Sequence, residues 1–293
     1  MKREISFYLI IISISWIFCS GTFGFGSIDN FDSIKRYLPP EAIMVNKDII
    51  QSSGFDPNNI EDIKLAAMED NEYVTKGDSY ILREAAISLL VYKARKESIP
   101  VLKTSLNDSH PYIRYTATRF LIMLGDKSGL EIMRKDLKEL TKDDEEYEKI
   151  YNESYGKKKA MLKSFRTKNR RLLFALEAAL VLAENGDMSG YKLAAQKAIE
   201  DKNILRRRTA IRVLMALTFI NKETLEKKGV FPEVIILDVA KKETDSFIIH
   251  HLIGYAQKIS QSERFSDELR EKAEKAIEEL SKRIEKENED TKK

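Results

Sequence analysis

The residues that could carry chemistry are few: one cysteine, three histidines, and two aspartate–arginine pairs at a repeated spacing. Cys19 stands alone, so neither an intramolecular disulfide nor a cysteine-based metal site is available to the chain. His250 and His251 are adjacent, and on a helix neighbours point about 100° apart rather than toward one ion. With His110 far away in sequence, no metal site is expected. Asp108 precedes Arg114 by six residues, and Asp201 precedes Arg207 by the same six. A carboxylate and a guanidinium at that spacing suit a fixed, charge-assisted contact rather than acid–base work. There is no Gly-rich phosphate loop, no HExxH and no nucleophile elbow, and nothing in the order of residues groups a serine, a histidine and an aspartate into a triad. The expectation is a non-enzyme with no cofactor: no catalytic, cofactor-binding or metal residue is assigned.

Those aspartates and arginines are positioned by a repeat. Arg114, Ala117 and Leu121 form an R-x-x-A-x-x-x-L template. Thirty-one residues earlier stand Arg83, Ala86 and Leu90, and three times that distance later stand Arg207, Ala210 and Leu214. Ala178 and Leu182 keep the pattern at a distance of 61, with Ala175 in the arginine's place. A preceding helix repeats too, with Ile99, Leu102 and Leu106 mapping onto Leu130, Met133 and Leu137. The turn Gly125-Asp126-Lys127-Ser128-Gly129 recurs as Gly186-Asp187-Met188-Ser189-Gly190. Its first glycine suits a left-handed helix terminus and its serine suits the next N-cap. Periodicities of this length indicate stacked supersecondary units sharing one core. Low Gly (12) and Pro (6) contents agree with helices, and Lys+Arg 50 against Asp+Glu 47 steers the chain neither to nucleic acid nor to an anionic membrane.

The D-x-x-P-x-I-R segment from Asp108 to Arg114, with its counterpart at Asp201 and Arg207, resembles HEAT repeats, and most closely the HEAT-like repeats also found in phycobilin lyases. The resemblance implies an all-α solenoid of helix pairs, with Asp108, Arg114, Asp201 and Arg207 forming a ladder between consecutive repeats. It covers roughly 58–260. Five repeats are expected, the last one decayed, because His251 stands where Asp245 would want an arginine. Residues 27–57 should form an N-terminal cap containing a short helix stopped at Pro39-Pro40. Residues 261–293 should form a charged capping helix and tail, with Leu269, Ala273, Ala276, Ile277, Leu280 and Ile284 on one stripe.

The third repeat carries an insertion at 140–169. Its acidic first half, Asp143 to Glu146, leads into Tyr147, Tyr151 and Tyr155 on one helical stripe. Its basic second half includes Arg166 and runs on into Arg170 and Arg171. One reading is a self-neutralising hairpin packed on the repeats. The other is a partner-binding projection through Tyr147, Tyr151, Tyr155, Arg166, Arg170 and Arg171, since Tyr and Arg anchor interfaces.

At the N-terminus, Lys2-Arg3 precede an apolar run from Ile5 to Cys19 and small residues up to Gly26, the pattern of a secretory signal in residues 1–26. Cys19 could instead be the acylated cysteine of a lipoprotein, although Trp16-Ile17-Phe18 departs from the small residue expected before it, and an uncleaved anchor is a third reading. The expected protein is an exported repeat scaffold in the periplasm, cell envelope or extracellular space. Its partner would be a protein or peptide, without nucleic acid, and it would meet a membrane only through an N-terminal anchor or lipid. Two other readings stand beside it. The phycobilin-lyase resemblance implies a chromophore-lyase-like enzyme, and Arg206-Arg207-Arg208 with Arg212 would suit a nucleic-acid-binding HEAT-like protein.

Overall fold

The structure, a computed structural model, describes residues 34–68 apart from Arg36, residues 79–142, and residues 168–290 apart from Phe219. Among them there are helices and no strand. In chain order the helices are α1 (Pro40–Ser52), α2 (Ile60–Ala66), α3 (Ser79–Ala94), α4 (Ile99–Ser105), α5 (Pro111–Met123), α6 (Leu130–Leu140), α7 (Lys168–Glu184), α8 (Tyr191–Glu200), α9 (Ile204–Leu217), α10 (Lys222–Lys227), α11 (Pro232–Ala240), α12 (Ser246–Ser260) and α13 (Asp267–Asp290). They fall into two compact parts, one ending at Asp136 and one comprising Leu137–Lys142 and the residues from Lys168 on. Cys19 and the whole of 1–26 lie outside the described residues, as do Tyr147, Tyr151, Tyr155 and Arg166.

In the first part, α1 and α2 pack against α3, and α3 against α5, which pairs with α4. The template alanines Ala86 and Ala117 are fully buried, beside Leu90 and Leu121. A methyl group is the largest side chain that lets two helix backbones approach this closely. The expected stop is present, since helical residues at Ile34, Lys35 and Tyr37 end before Pro39, and the same proline pair also opens α1 at Pro40. In the first turn a missing N–H costs nothing and the fixed φ is already helical. In the second part α9 packs against α7, α8 and α11, with Ala178, Leu182, Ala210 and Leu214 buried. The charged helix α13 lies along α12 and turns Ala273, Ala276 and Leu280 inward.

The two recurring turns are built alike. Gly125 takes φ 87°, with its N–H donating to Ile122 O at 3.0 Å and the Asp126 N–H to Leu121 O at 2.8 Å. Gly186 repeats this at φ 81°, with bonds to Ala183 O at 3.0 Å and from Asp187 to Leu182 O at 2.9 Å. This is a left-handed helix terminus in which two otherwise orphaned carbonyls are satisfied. The serines do not cap the following helices. Instead Asp126 and Asp187 accept from the Ser128 and Ser189 N–H groups, each at 2.8 Å. The second glycine of each turn is a contact point: a Cβ on Gly129 would overlap the Thr118 side chain, and one on Gly190 would overlap the Ala179 Cβ. Thr118 and Ala179 are themselves repeat equivalents, 61 apart.

Candidate functional site

The buried polar groups of both parts form one recurring arrangement. In each turn an acidic residue stands two positions before the helix N-cap. Asp108 accepts from the His110 N–H at 2.7 Å, Asp201 from Asn203 at 2.9 Å, and Glu243 from Asp245 at 3.0 Å. His110, Asn203 and Asp245 in turn accept from Tyr112, Arg206 and Ile248 N–H groups and so cap α5, α9 and α12. Each cap satisfies a donor that the helix itself cannot.

An arginine from the preceding repeat then reaches that acid. Arg83 on α3 meets Asp108 with Nε–Oδ2 2.7 Å and Nη2–Oδ1 3.0 Å. Arg207 on α9 meets Glu243 at 3.1 and 3.0 Å. Arg114 meets Asp136 on α6 at 2.8 and 2.7 Å. The remaining Nη1 of Arg114 donates to Asp108 O and Ser109 O at 2.7 and 3.0 Å; that of Arg207 donates to Asp201 O and Lys202 O at 3.1 and 3.3 Å. The six-residue spacing read from the sequence is therefore a guanidinium-to-carbonyl contact within a repeat, while the carboxylate partner comes from the next element. The expected Asp201–Arg207 side-chain pair is replaced by Asp201–Arg206, at 2.8 and 2.7 Å. The physical reason is Ala175: no guanidinium arrives from α7, and the neighbouring Arg206 fills the place. Glu243, rather than Asp245, is the fifth repeat's acid, and its main-chain carbonyl is met by Arg283 rather than by a residue six positions on.

The charges respond accordingly. Burial works to raise the carboxyls of Asp201 and Glu243. Arg206 and the Asn203 N–H outweigh it for the first, and Arg207 with the Asp245 and Thr244 N–H groups for the second, so both lie below the usual range. The Glu243 hydrogen bonds in turn raise Arg207, against burial. At the C-terminal end Arg283 of α13 donates to Ala240 O, Glu243 O and Lys241 O at 2.9, 3.0 and 2.8 Å, closing the end of α11 with the same kind of contact.

The first part adds a polar surface beside the ladder. Tyr112 donates to Glu84 at 3.0 Å; burial pushes the Glu84 carboxyl up to about 7, with that bond pulling it back. Tyr80 stacks on His110 at 4.3 Å, and buried Arg119 donates to the Tyr115 hydroxyl at 2.7 Å with its guanidinium also over Tyr37. In the second part a groove of about 610 Å³ opens between the ends of α8 and α11. Ala198 and Val239 line it together with the Arg207–Glu243 pair, and Lys202, Lys241 and Lys242 also border it.

Of the candidate partner contacts, Arg170 is exposed at the start of α7, but Arg171 is 1% exposed and donates to Lys142 O at 3.2 Å. Arg171 is thus part of the framework and not of an outward face. Sequence reasoning passed over Asp136, Glu243 and Arg283 and read Arg206 only as part of a basic run; of these only Glu243 had a visible signal, its place two residues before an N-cap. Among the described residues no group of His, Cys, Asp and Glu could hold a metal ion, and no helix is long and apolar enough to cross a membrane.

Helix pairs stacked through alanine and glycine contacts and tied by an arginine ladder define an all-α repeat protein of the α-solenoid class. Residues 72–149 match the family model of HEAT repeats, which supports a HEAT-repeat protein. HEAT repeats commonly mediate protein interactions, and the chain is read as a repeat scaffold of that kind. No curated protein and no solved structure matched it.

Proposed function

We propose that this protein is an exported HEAT-repeat scaffold that binds a protein or peptide partner in the cell envelope or outside the cell, without catalysing a reaction on it. The observation that carries the reading is where the polar side chains are used. The ladder arginines spend their donors on turn carbonyls and on carboxylates of the next element. The caps likewise satisfy helix termini rather than converge on a substrate. A framework of this kind holds outward helix faces rigid for recognition. It also draws Arg206 and Arg207 out of the basic run that suggested nucleic acid. Export is supported by Lys2-Arg3 and the apolar Ile5–Cys19 run, and Cys19 is the residue that would carry a lipid if the signal is of the lipoprotein kind.

The test is cross-linking of the native protein in its own cell envelope, followed by isolation and identification of what is attached. Specific partners recovered from the envelope fraction support the reading. Recovery of the chain from the cytosol alone, with residues 1–16 retained, overturns the export half.

A further inference from the structure

Gly254 lies in the interior of α12, where glycine is the poorest helix former after proline. At Gly129 and Gly190 the missing side chain is demanded by Thr118 and Ala179, but a Cβ built on Gly254 meets no atom within 4 Å. Nothing in the described chain accounts for a glycine there. What the glycine leaves is open space above a half-exposed helix backbone.

The surroundings of that space are cationic and aromatic. Gly254 shares a face of α12 with Phe247, His250 and His251, at intervals of seven, four and three residues. From α9, Arg208 lays its guanidinium 3.6 Å from the centre of the Phe247 ring, while the His251 ring stands 4.4 Å from Phe247 on its own helix. Burial lowers the His251 pKa against its bond to the Phe247 carbonyl, and Arg208, Arg212 and His250 push it the same way, so its ring is held toward the neutral form beside the two arginines. His250 is exposed, and Arg208, Arg212 and His251 are half-buried.

We propose that this face of α9 and α12 is a docking surface for an acidic peptide segment of a partner protein, its backbone crossing over Gly254 and its carboxylates meeting Arg208, Arg212 and His250. The proposal rests on the scaffold reading above and names its surface. Charge complementarity selects an acidic occupant. Glycine selects close backbone approach, since only a residue without Cβ lets another chain lie against the helix. A peptide fits better than nucleic acid, because the chain is nearly balanced at +3 and the cations form one cluster, whereas phosphate binding draws on many contacts along a strand.

The test is fluorescence anisotropy with the full chain and a labelled peptide of alternating Glu and Leu. The same peptide with Lys for Glu, and an oligothymidylate, serve as controls. The acidic peptide should bind, and the lysine peptide should not. Arg212→Glu and Gly254→Leu should each weaken binding by about tenfold. Gly254→Ala should raise the melting temperature, and Gly254→Leu should leave the helical circular dichroism unchanged, which separates lost binding from lost folding. Equal affinity in the wild type and both variants overturns the proposal, and so does tighter binding of oligothymidylate at the same ionic strength. Envelope cross-links that survive Gly254→Leu unchanged also overturn it while leaving the scaffold standing. The absence of any cross-linked partner overturns both.

Discussion

Arg206 and Arg207 are neighbours in sequence and serve different carboxylates. The first closes on Asp201 five residues back, and the second reaches Glu243 thirty-six residues on. Glu243 is 4% exposed, so Arg207→Ala strands a buried carboxylate. A buried pair broken from one side costs about 3–5 kcal/mol. The Arg207 side chain keeps 19% of its surface in water, which trims the expected loss to about 2–3 kcal/mol. A double-mutant cycle in urea decides the partner: Arg207 with Glu243 should couple by about 1–3 kcal/mol, and Arg207 with Asp201 by less than about 0.5. The reverse ranking would restore the pairing that the sequence spacing suggested. Glu84 gives a pH prediction. Its ordinary value is 4.5 and its folded value about 7, so the native state holds a proton that the unfolded chain has lost between those values. Unfolding free energy should therefore fall as pH rises from about 4.5 to about 7. Glu84→Gln should flatten that fall. Asp201 and Glu243, held low, act in the other sense and withdraw stability as pH drops below their usual 3.8 and 4.5. Chemical denaturation across pH, wild type against Glu84→Gln, separates the two contributions.

At the scale of the helices, the glycines sort into three physical kinds that look alike in a sequence. Gly125 and Gly186 hold left-handed termini and were legible from their place after an amphipathic stripe. Gly129 and Gly190 are contact points, and nothing along the chain marks them, because the atoms they make room for belong to Thr118 and Ala179 on another helix. Gly254 has neither reason. Thus Gly190→Ala should cost about 1–3 kcal/mol through overpacking against Ala179. Gly254→Ala should instead add about 0.5–1 kcal/mol through helix propensity. Thermal melts of the two variants check the opposite signs. The proline pair was legible as a stop, and it does follow the helical residues that end at Tyr37; that it also opens the 13 residues of α1 was not. Helix existence was legible because the alanine–leucine stripe repeats, whereas the acid that answers each arginine was not. That acid is chosen by which element packs next: a turn for Arg83 and Arg207, a helix for Arg114.

Across the whole chain the largest departure from the 31-residue period is the segment between α6 and α7. One described contact bears directly on it: Arg171 of α7, 1% exposed, donates to the Lys142 carbonyl at 3.2 Å although the two are 29 residues apart. The points where the chain leaves one helix and enters the next are therefore held together by the framework itself. Replacing 144–165 with a short Asn-Asp-Gly-Ser turn should leave that bond intact. Shortening a connection of this length changes closure entropy by only about 1–2 kcal/mol, so helicity per residue and a single cooperative transition should persist in urea. Arg171→Ala should behave differently and destabilise the fold without the deletion, since a buried guanidinium that satisfies a main-chain carbonyl is lost. Binding then divides the surfaces. If Tyr147, Tyr151 and Tyr155 recognise the partner, the shortened chain loses its envelope cross-links while its melting curve stays put. If the α9–α12 face does so, the shortened chain keeps them and only Arg212→Glu or Gly254→Leu removes them. A shortened chain that no longer unfolds cooperatively would mean that 144–165 contribute core to the repeats, and the third repeat would then have to be counted as two.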